Sequence, residues 1–156
     1  MNARIVGFEE FDLHRPKLGT IVAVSGGFDP IHPGHISMMQ EAKKLGDTLV
    51  VIINGDAFLR VKKGKPFMNL ETRCHIVSSI RGVDYVVPHE VENDASVSGA
   101  LEKLRPHIYG KSGQWTQENP PPELVVCNKH GIKIIYDVGA PKQWSSSELL
   151  KNWENR

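Results

Sequence analysis

Short apolar runs alternate along this chain with longer segments in which apolar residues recur every three or four positions. The short runs predict five strands, and the second is apolar enough to be buried on both faces. The periodic segments predict five helices. The strands cover 20–26, 47–54, 83–88, 107–110 and 132–138, and the helices cover 35–46, 69–80, 93–105, 121–131 and 145–154.

The helix boundaries carry ordinary capping signals. Asn69 can cap the second helix, Asn93 or Asp94 the third, and one of the serines 145–147 the last. The fourth begins with prolines and ends at Gly131, the usual polarity of a helix. These signals support the element boundaries given by the apolar pattern.

The regular alternation of strand and helix predicts an α/β fold, a single doubly wound, five-stranded parallel sheet of Rossmann-like type with helices on both faces. Residues 20–156 form this domain. Residues 1–19 precede it as an N-terminal arm with too few apolar positions for a helix of its own, and we expect this arm to pack on a neighbouring subunit.

Ligands of such sheets bind beyond the carboxyl ends of the strands, so the loops after the strands are candidate functional segments. The loops at 54–68 and 110–120 are longer than a compact connection needs. The first contains a basic run, RVKKGK at 60–65, which by itself is typical of a solvated loop.

Composition excludes several classes of protein. No apolar run reaches the ~20 residues needed to cross a bilayer, and the N-terminus mixes acids and bases unlike a signal peptide, so we expect a cytoplasmic protein. A net charge of +1 creates no field that would attract nucleic acid. Cys74 and Cys127 are far apart and predict reduced, packed thiols.

The stretch VSGGFDPIHPGHISMM at 24–39 holds the most specific chemistry. Gly26 and Gly27 let the backbone approach a ligand, but neither a dinucleotide fingerprint nor a P-loop follows them. His32 and His35 flank the entry of the next helix, whose free N–H groups and dipole favour an anion. Two alternatives remain open: a pair of metal ligands that would need a third, and two packed core histidines.

The predicted chemistry of the pair is electrostatic. A helix N-terminus disfavours a protonated imidazole, so we expect both rings to be neutral until a polyphosphate binds. In either state the rings can donate hydrogen bonds to charge that grows on phosphate oxygens. The loss of one such donor typically costs about 10²–10³ in rate.

GGFDPIHPGH at 26–35 resembles the signature of the HxGH nucleotidylyltransferase superfamily. NLETR at 69–73 with IRGVDYVV at 80–87, LRPHIYGKSGQWT at 104–116, and QWSSSELL at 143–150 resemble blocks of its glycerol-3-phosphate cytidylyltransferase and ADP-heptose synthase branch. The four blocks occur in the family's order and span roughly residues 20–152.

The resemblance implies transfer of a nucleoside monophosphate from ATP or CTP to a phosphorylated sugar or polyol, with release of pyrophosphate and with Mg²⁺ as cofactor. It also implies a homodimer. The catalytic residues that it implies are His32, His35, Lys65 and Arg73. The nucleotide-binding residues that it implies are Gly26, Gly27, Phe28, Asp29, Gly34, Lys111, Ser145, Ser146 and Ser147.

Several of these positions have plain structural alternatives. Asp29 is equally suited to a turn or cap, Arg73 to a surface salt bridge, and Trp115 and Trp144 to core packing instead of walling a ligand.

Two positions depart from the family pattern: Gln114 replaces an acid, and Ala140 replaces an arginine whose task would fall to Lys142 or elsewhere. A catalytically inactive nucleotide-sensing module is therefore the alternative function.

Overall fold

The computed structural model describes residues 2–92, 96–141 and 143–155. Within these ranges the chain forms six strands, seven α-helices and a short 3₁₀ helix at Arg15–Lys17. The strands are β1 (Arg4–Ile5), β2 (Ile21–Gly26), β3 (Thr48–Asn54), β4 (Tyr85–His89), β5 (Ile108–Gly110) and β6 (Lys133–Ile135). The helices are α1 (Phe8–His14), α2 (Pro33–Lys43), α3 (Asp56–Lys63), α4 (Leu70–Ser78), α5 (Ser98–Leu104), α6 (Leu124–His130) and α7 (Ser146–Glu154).

All six strands form one parallel sheet in the order β1-β4-β3-β2-β5-β6. The predicted doubly wound α/β fold is confirmed, but the predicted number of five strands is wrong because β1 adds a sixth. The chain builds outward from β2 in one direction through β3 and β4, and in the other through β5 and β6. The strand order therefore reverses between β2 and β5, where such folds bind ligands.

Helices cover both faces of the sheet, as predicted. Alternate residues of β2 and β3 point into two apolar clusters. One cluster includes residues of α1, α5 and α6, and the other includes residues of α2 and α4. All seven residues of β3 are buried, which confirms the prediction that this strand is covered on both sides.

The N-terminal residues pack on the same sheet. Arg4 pairs with Tyr85 in the ladder between β1 and β4, and Phe11 of α1 is fully buried with its ring 5.3 Å from that of Tyr85. The expectation that this segment lacks a helix is wrong, because one well-placed aromatic side chain anchors α1 through tertiary packing rather than through apolar periodicity. Contact with a neighbouring subunit, and a boundary at residue 19, stay predictions.

Two further segments differ from the sequence-based elements. Residues 54–68 contain α3 instead of being a continuous loop, since Leu59 is buried and the basic residues lie in the last turn, where they complement the helix dipole. The helix predicted at 93–105 is α5, which begins only at Ser98, and its proposed caps Asn93 and Asp94 lie outside the described residues. Asn69 caps α4 as predicted, accepting from the Thr72 N–H at 2.8 Å.

Both cysteines are buried free thiols, as expected, and they lie in the two different apolar clusters. Burial raises the pKa of Cys74 and of Cys127 to about 11, so both thiols are protonated and unreactive at neutral pH. Within the described residues, no helix is both long and apolar enough to cross a bilayer.

Substitution of Phe11 by Ala tests whether the N-terminal segment belongs to the core. We expect Phe11→Ala to lower the free energy of unfolding by about 3–5 kcal/mol, because it removes a fully buried ring. Leu13→Ala in the same helix is the control, since Leu13 is 80% exposed and its loss should cost less than about 0.5 kcal/mol. Urea unfolding measures both, and equal effects of the two variants would contradict the assignment.

Candidate functional site

A cavity of about 460 Å³ opens at the carboxyl edge of the sheet, where the strand order reverses. The segments after β2, β5 and β6 form its walls together with α3. The predicted site residues that line it are Gly26, Gly27, Phe28, His32, Gly34, His35, Ser145, Ser146 and Ser147. The fold therefore brings together the first and the last of the four sequence blocks, which are more than 100 residues apart.

Steric constraints explain the two glycines that end β2. A Cβ atom at Gly26 would lie 2.9 Å from the ring of Phe28, and one at Gly27 would lie 2.9 Å from a methyl group of Leu59 in α3. Phe28 itself adopts a positive φ of 54°, which is uncommon for a residue with a side chain. The turn is thus a close-packed junction that exposes backbone to the cavity.

The two histidines cap α2 reciprocally. His32 is the N-cap, and its Nδ1 accepts from the Gly34 N–H at 3.1 Å. The His32 N–H in turn donates to His35 Nδ1 at 3.3 Å. The rings are stacked with centroids 3.6 Å apart and planes at 20°. This is the geometry of a capping box, in which imidazole nitrogens replace the usual hydroxyl and carboxylate.

This capping determines where the imidazole protons lie. A ring nitrogen that accepts an N–H cannot carry a proton, so each neutral ring carries its proton on Nε2. Burial, aided by the neighbouring His32, Lys63 and Lys62, lowers the pKa of His35 to about 3. His35 is therefore neutral at physiological pH and acts as an Nε2–H donor, which agrees with the expectation of a neutral ring.

Aromatic rings enclose the histidine pair. The Trp144 indole lies nearly parallel to His32, with centroids 6.3 Å apart, and Phe28 meets His35 edge-on at 5.0 Å. Trp144 is 42% exposed and Trp115 also lines the cavity, so both tryptophans belong to the wall of the site and not to the core.

The segment after β6 docks onto the start of α2. The Ala140 N–H donates to Ser37 Oγ at 2.9 Å, and Ser146 Oγ donates to the Pro30 carbonyl at 2.8 Å. Ser145 caps α7 by accepting from the Glu148 N–H at 3.3 Å. As a result, the N-termini of α2 and α7 face the same cavity with the positive ends of their dipoles. The first N–H groups of α2 already donate to His32, whereas α7 offers the free N–H groups of Ser146 and Ser147.

Charged residues of the lining are all basic in the described part of the chain. Lys62 and Lys63 reach the cavity from α3, and none of the described lining residues is Asp or Glu. Lys63 Nζ donates to the Asp29 carbonyl at 2.8 Å, and burial together with Lys62 lowers its pKa. An arrangement of cations, imidazole donors and helix amides suits a polyanion such as a polyphosphate.

Asp29 performs the turn role that was its alternative. It is fully buried, and its carboxylate accepts from the N–H groups of Phe67 and Met68 at 2.6 and 2.7 Å. The side chain thereby fastens the segment after α3 against the histidine loop. It does not line the cavity, so a direct contact with nucleotide remains a prediction without structural support.

Arg73 lies beneath the site and not within it. Its side chain is fully buried and forms an ion pair with Asp56 at 2.7 Å, so the alternative of a surface salt bridge is wrong. Its other donors reach the carbonyls of Gly27 at 2.9 Å, Asn54 at 2.6 Å and Met68 at 2.9 Å. Arg73 thus holds the glycine turn, the end of β3 and α3 together, and it does not line the cavity as the predicted catalytic role would require.

Two predicted lysines also lie off the cavity. Lys65 is exposed beyond the end of α3. The Lys111 ammonium lies over the rings of Tyr109 and Trp115 at 5.4 and 5.6 Å, and 3.8 Å from the Glu123 carboxylate. Burial lowers the pKa of Lys111. Its ammonium packs against the ring of Trp115, which lines the cavity.

The cavity is also lined by residues that the sequence motifs do not single out. The resemblance points to Lys65, but α3 ends before that residue, and it is Lys62 and Lys63 of its last turn that line the cavity. No sequence signal points to Ser25, which lines the cavity and whose hydroxyl shares a 2.7 Å hydrogen bond with that of Tyr109. The two departures from the family pattern, Gln114 and Ala140, line the cavity as well, while Lys142 lies outside the described residues.

Comparison with known proteins identifies the family of this chain. The cytidylyltransferase-like family model matches residues 23–127. The bifunctional protein HldE of Nitrosococcus oceani is 37% identical over 127 residues, which cover 80% of this chain and 26% of that protein. The chain therefore spans about a quarter of the length of this curated relative.

Two solved structures share the fold. The lipopolysaccharide core biosynthesis protein from Thermoplasma volcanium superposes with a TM-score of 0.65 at 26% identity, covering 80% of this chain and 99% of that one. A pantoate-beta-alanine ligase from Francisella tularensis superposes with a TM-score of 0.60 at 17% identity, covering 92% and 68%. The second likeness concerns the fold alone.

NMR of the imidazole nitrogens tests the capping arrangement. We expect His35 to remain neutral, with its proton on Nε2, down to about pH 4, and a His35→Gln variant assigns its signals. Because the folded-state pKa lies below the unfolded value of 6.5, stability from this group is complete above pH 6.5 and is lost as the pH falls towards 3. A His35 that titrates near pH 6.5, or carries its proton on Nδ1, would contradict the model of the cap.

Proposed function

Because the chain belongs to the cytidylyltransferase-like family, we propose that it transfers a nucleoside monophosphate from ATP or CTP to a phosphorylated sugar or polyol and releases pyrophosphate. The observation that carries this proposal is the capped pair of His32 and His35. Their Nε2–H groups stand beside two helix N-termini in a cavity without described acidic residues.

The proposed reaction is an in-line displacement at the α-phosphorus. A phosphate oxygen of the acceptor forms a new bond to the α-phosphorus, while the bond from that phosphorus to the bridging oxygen breaks. Pyrophosphate leaves with the electron pair, so the step needs no oxidant and no covalent enzyme intermediate. Catalysis of this kind depends on positioning and on stabilisation of charge.

The residues of the site are suited to those two tasks. The free amides at the start of α7 and the dipoles of α2 and α7 would hold the phosphates, and His32 and His35 would donate hydrogen bonds to the oxygens on which charge grows. Lys62 and Lys63 would neutralise the departing pyrophosphate. The tautomers are already set by the backbone, so the donors need no reorganisation when the substrate binds.

Magnesium is expected with the triphosphate because family members are typically Mg²⁺-dependent. Across residues 2–92, 96–141 and 143–155, no three His, Cys, Asp or Glu side chains cluster as a metal site. The lining offers Mg²⁺ only hydroxyl and amide oxygens, a poor donor set for this ion. We therefore propose that phosphate oxygens and water hold the ion, and that the chain supplies no carboxylate ligand.

The finer assignment of substrates rests on the relatives. The role of the similar Thermoplasma volcanium protein in lipopolysaccharide core biosynthesis favours a phosphorylated sugar as acceptor over a polyol. The base lies against backbone groups at the end of β2 in this proposal, which leaves ATP and CTP as equal candidates. We also propose that the protein is cytoplasmic and forms a homodimer.

A panel assay for pyrophosphate release tests the function. The protein is mixed with Mg²⁺, with ATP or CTP, and with a set of phosphorylated sugars and polyols. Release that requires one acceptor supports the transferase. Binding of triphosphate without release under every condition would instead support the inactive sensing module.

The histidine pair should be essential for turnover. We expect His35→Gln to lower kcat at least ~100-fold, because it removes a preorganised donor to the reacting phosphate. His75→Gln is the matched control, since His75 is exposed on α4 outside the cavity, and should retain full activity. A His35→Gln protein with near-normal turnover, or one that melts far below wild type, would assign His35 to packing.

Lys62 of α3 should contribute more to triphosphate binding than Lys65, the lysine that the resemblance implies. We expect Lys62→Ala to raise KM for the triphosphate about 10-fold, because Lys62 lines the cavity, and Lys65→Ala to change it less than about 2-fold. Steady-state kinetics with varied triphosphate measures both. The reverse ranking would show that the segment after α3 moves onto the phosphates.

A further inference from the structure

Glu90 lies outside the cavity, yet its carboxylate holds the helix that brings lysines to it. Glu90 follows β4, and its Oε2 and Oε1 accept from the backbone N–H groups of Asp56 and Ala57 at 2.8 and 3.0 Å. These N–H groups are at the start of α3 and have no partner within the helix. A negative charge at this end of a helix is also favoured by the helix dipole.

The chain leaves room for this carboxylate at one specific residue. A Cβ atom at residue 55 would overlap the Glu90 carboxylate, so the contact requires glycine there. The backbone of Gly55 has a φ of −72°, which any residue can adopt. Space for Glu90, and not conformational freedom, is therefore the reason for glycine at this position.

The opposite end of α3 reaches the cavity. Lys62 and Lys63 line it, and Leu59 lies between the ends and packs against Gly27 of the glycine turn. Asp56 and Lys62 are about 9 Å apart along the helix axis. Glu90 holds the start of α3, and Leu59 supports its middle. The position of the first turn therefore determines where the lysines of the last turn lie.

We propose that Glu90 is a positioning residue that sets the place of Lys62 and Lys63 over the phosphates through α3. The inference rests on the proposed function for the identity of the ligand, a nucleoside triphosphate. Glu90 itself touches neither the cavity nor the phosphates, and it acts only through the helix.

Calorimetric titration of the full chain with ATP and with CTP, in the presence of Mg²⁺, tests the proposal. We expect Glu90→Ala to weaken triphosphate binding roughly 5- to 20-fold, as the loss of a helix cap misplaces both lysines. Gly55→Ala should weaken it similarly by displacing the carboxylate. Glu92→Ala removes the same charge from the same loop and should bind like wild type.

A double-mutant comparison separates positioning from a merely structural role. In a Lys62→Ala/Lys63→Ala background, Glu90→Ala should weaken binding by less than about 2-fold, because the groups that it positions are gone. Glu90 is exposed, so we expect these variants to fold, and melting curves check this. If Glu90→Ala does not fold, Gly55→Ala in the two backgrounds supplies the same comparison.

The outcomes distinguish this inference from the function on which it rests. Unchanged binding by Glu90→Ala, or equal weakening with and without the lysines, would overturn the role of Glu90 alone. A wild-type chain that binds neither triphosphate would overturn the proposed function and this inference together.

Discussion

The candidate site depends on one local arrangement, the capping of α2 by two imidazoles. Backbone N–H groups at the start of a helix must find partners, and here the Nδ1 atoms of His32 and His35 accept from two of them. The same hydrogen bonds orient the rings and place their protons on Nε2. A structural requirement of the helix thereby produces a pair of aligned donors at the mouth of a ligand cavity.

A buried polar network supports this arrangement from below. Arg73 donates to three carbonyls and pairs with Asp56, and Asp29 accepts from two backbone amides. A buried charge is costly unless it is paired and hydrogen-bonded, so such residues hold their neighbours in well-defined positions. The network joins the glycine turn to α3, and it links the histidine loop to the lysines although the two are 30 residues apart in sequence.

Local pattern predicted the sheet and most helices correctly, because buried parallel strands and capped helices carry strong signals. Five strands and the cap at Asn69 could be predicted from the sequence for this reason. The pattern failed for β1 and α1, where two ladder residues and the ring of Phe11 hold the segment in place. It failed for α3 as well, because the basic residues of its last turn resemble a solvated loop.

The sequence alone predicts the residue types of the candidate site: two histidines at a helix start, glycines before them and serines at the last helix. These features are local, and the order of four motif blocks identified the family. Which basic residues face the cavity depends on the folded arrangement of the chain. Helical phase turns Lys62 and Lys63 inward, while Arg73 is drawn beneath the site by carbonyls from three separate segments. Such contacts depend on distances between remote parts of the chain, which spacing along the sequence does not encode.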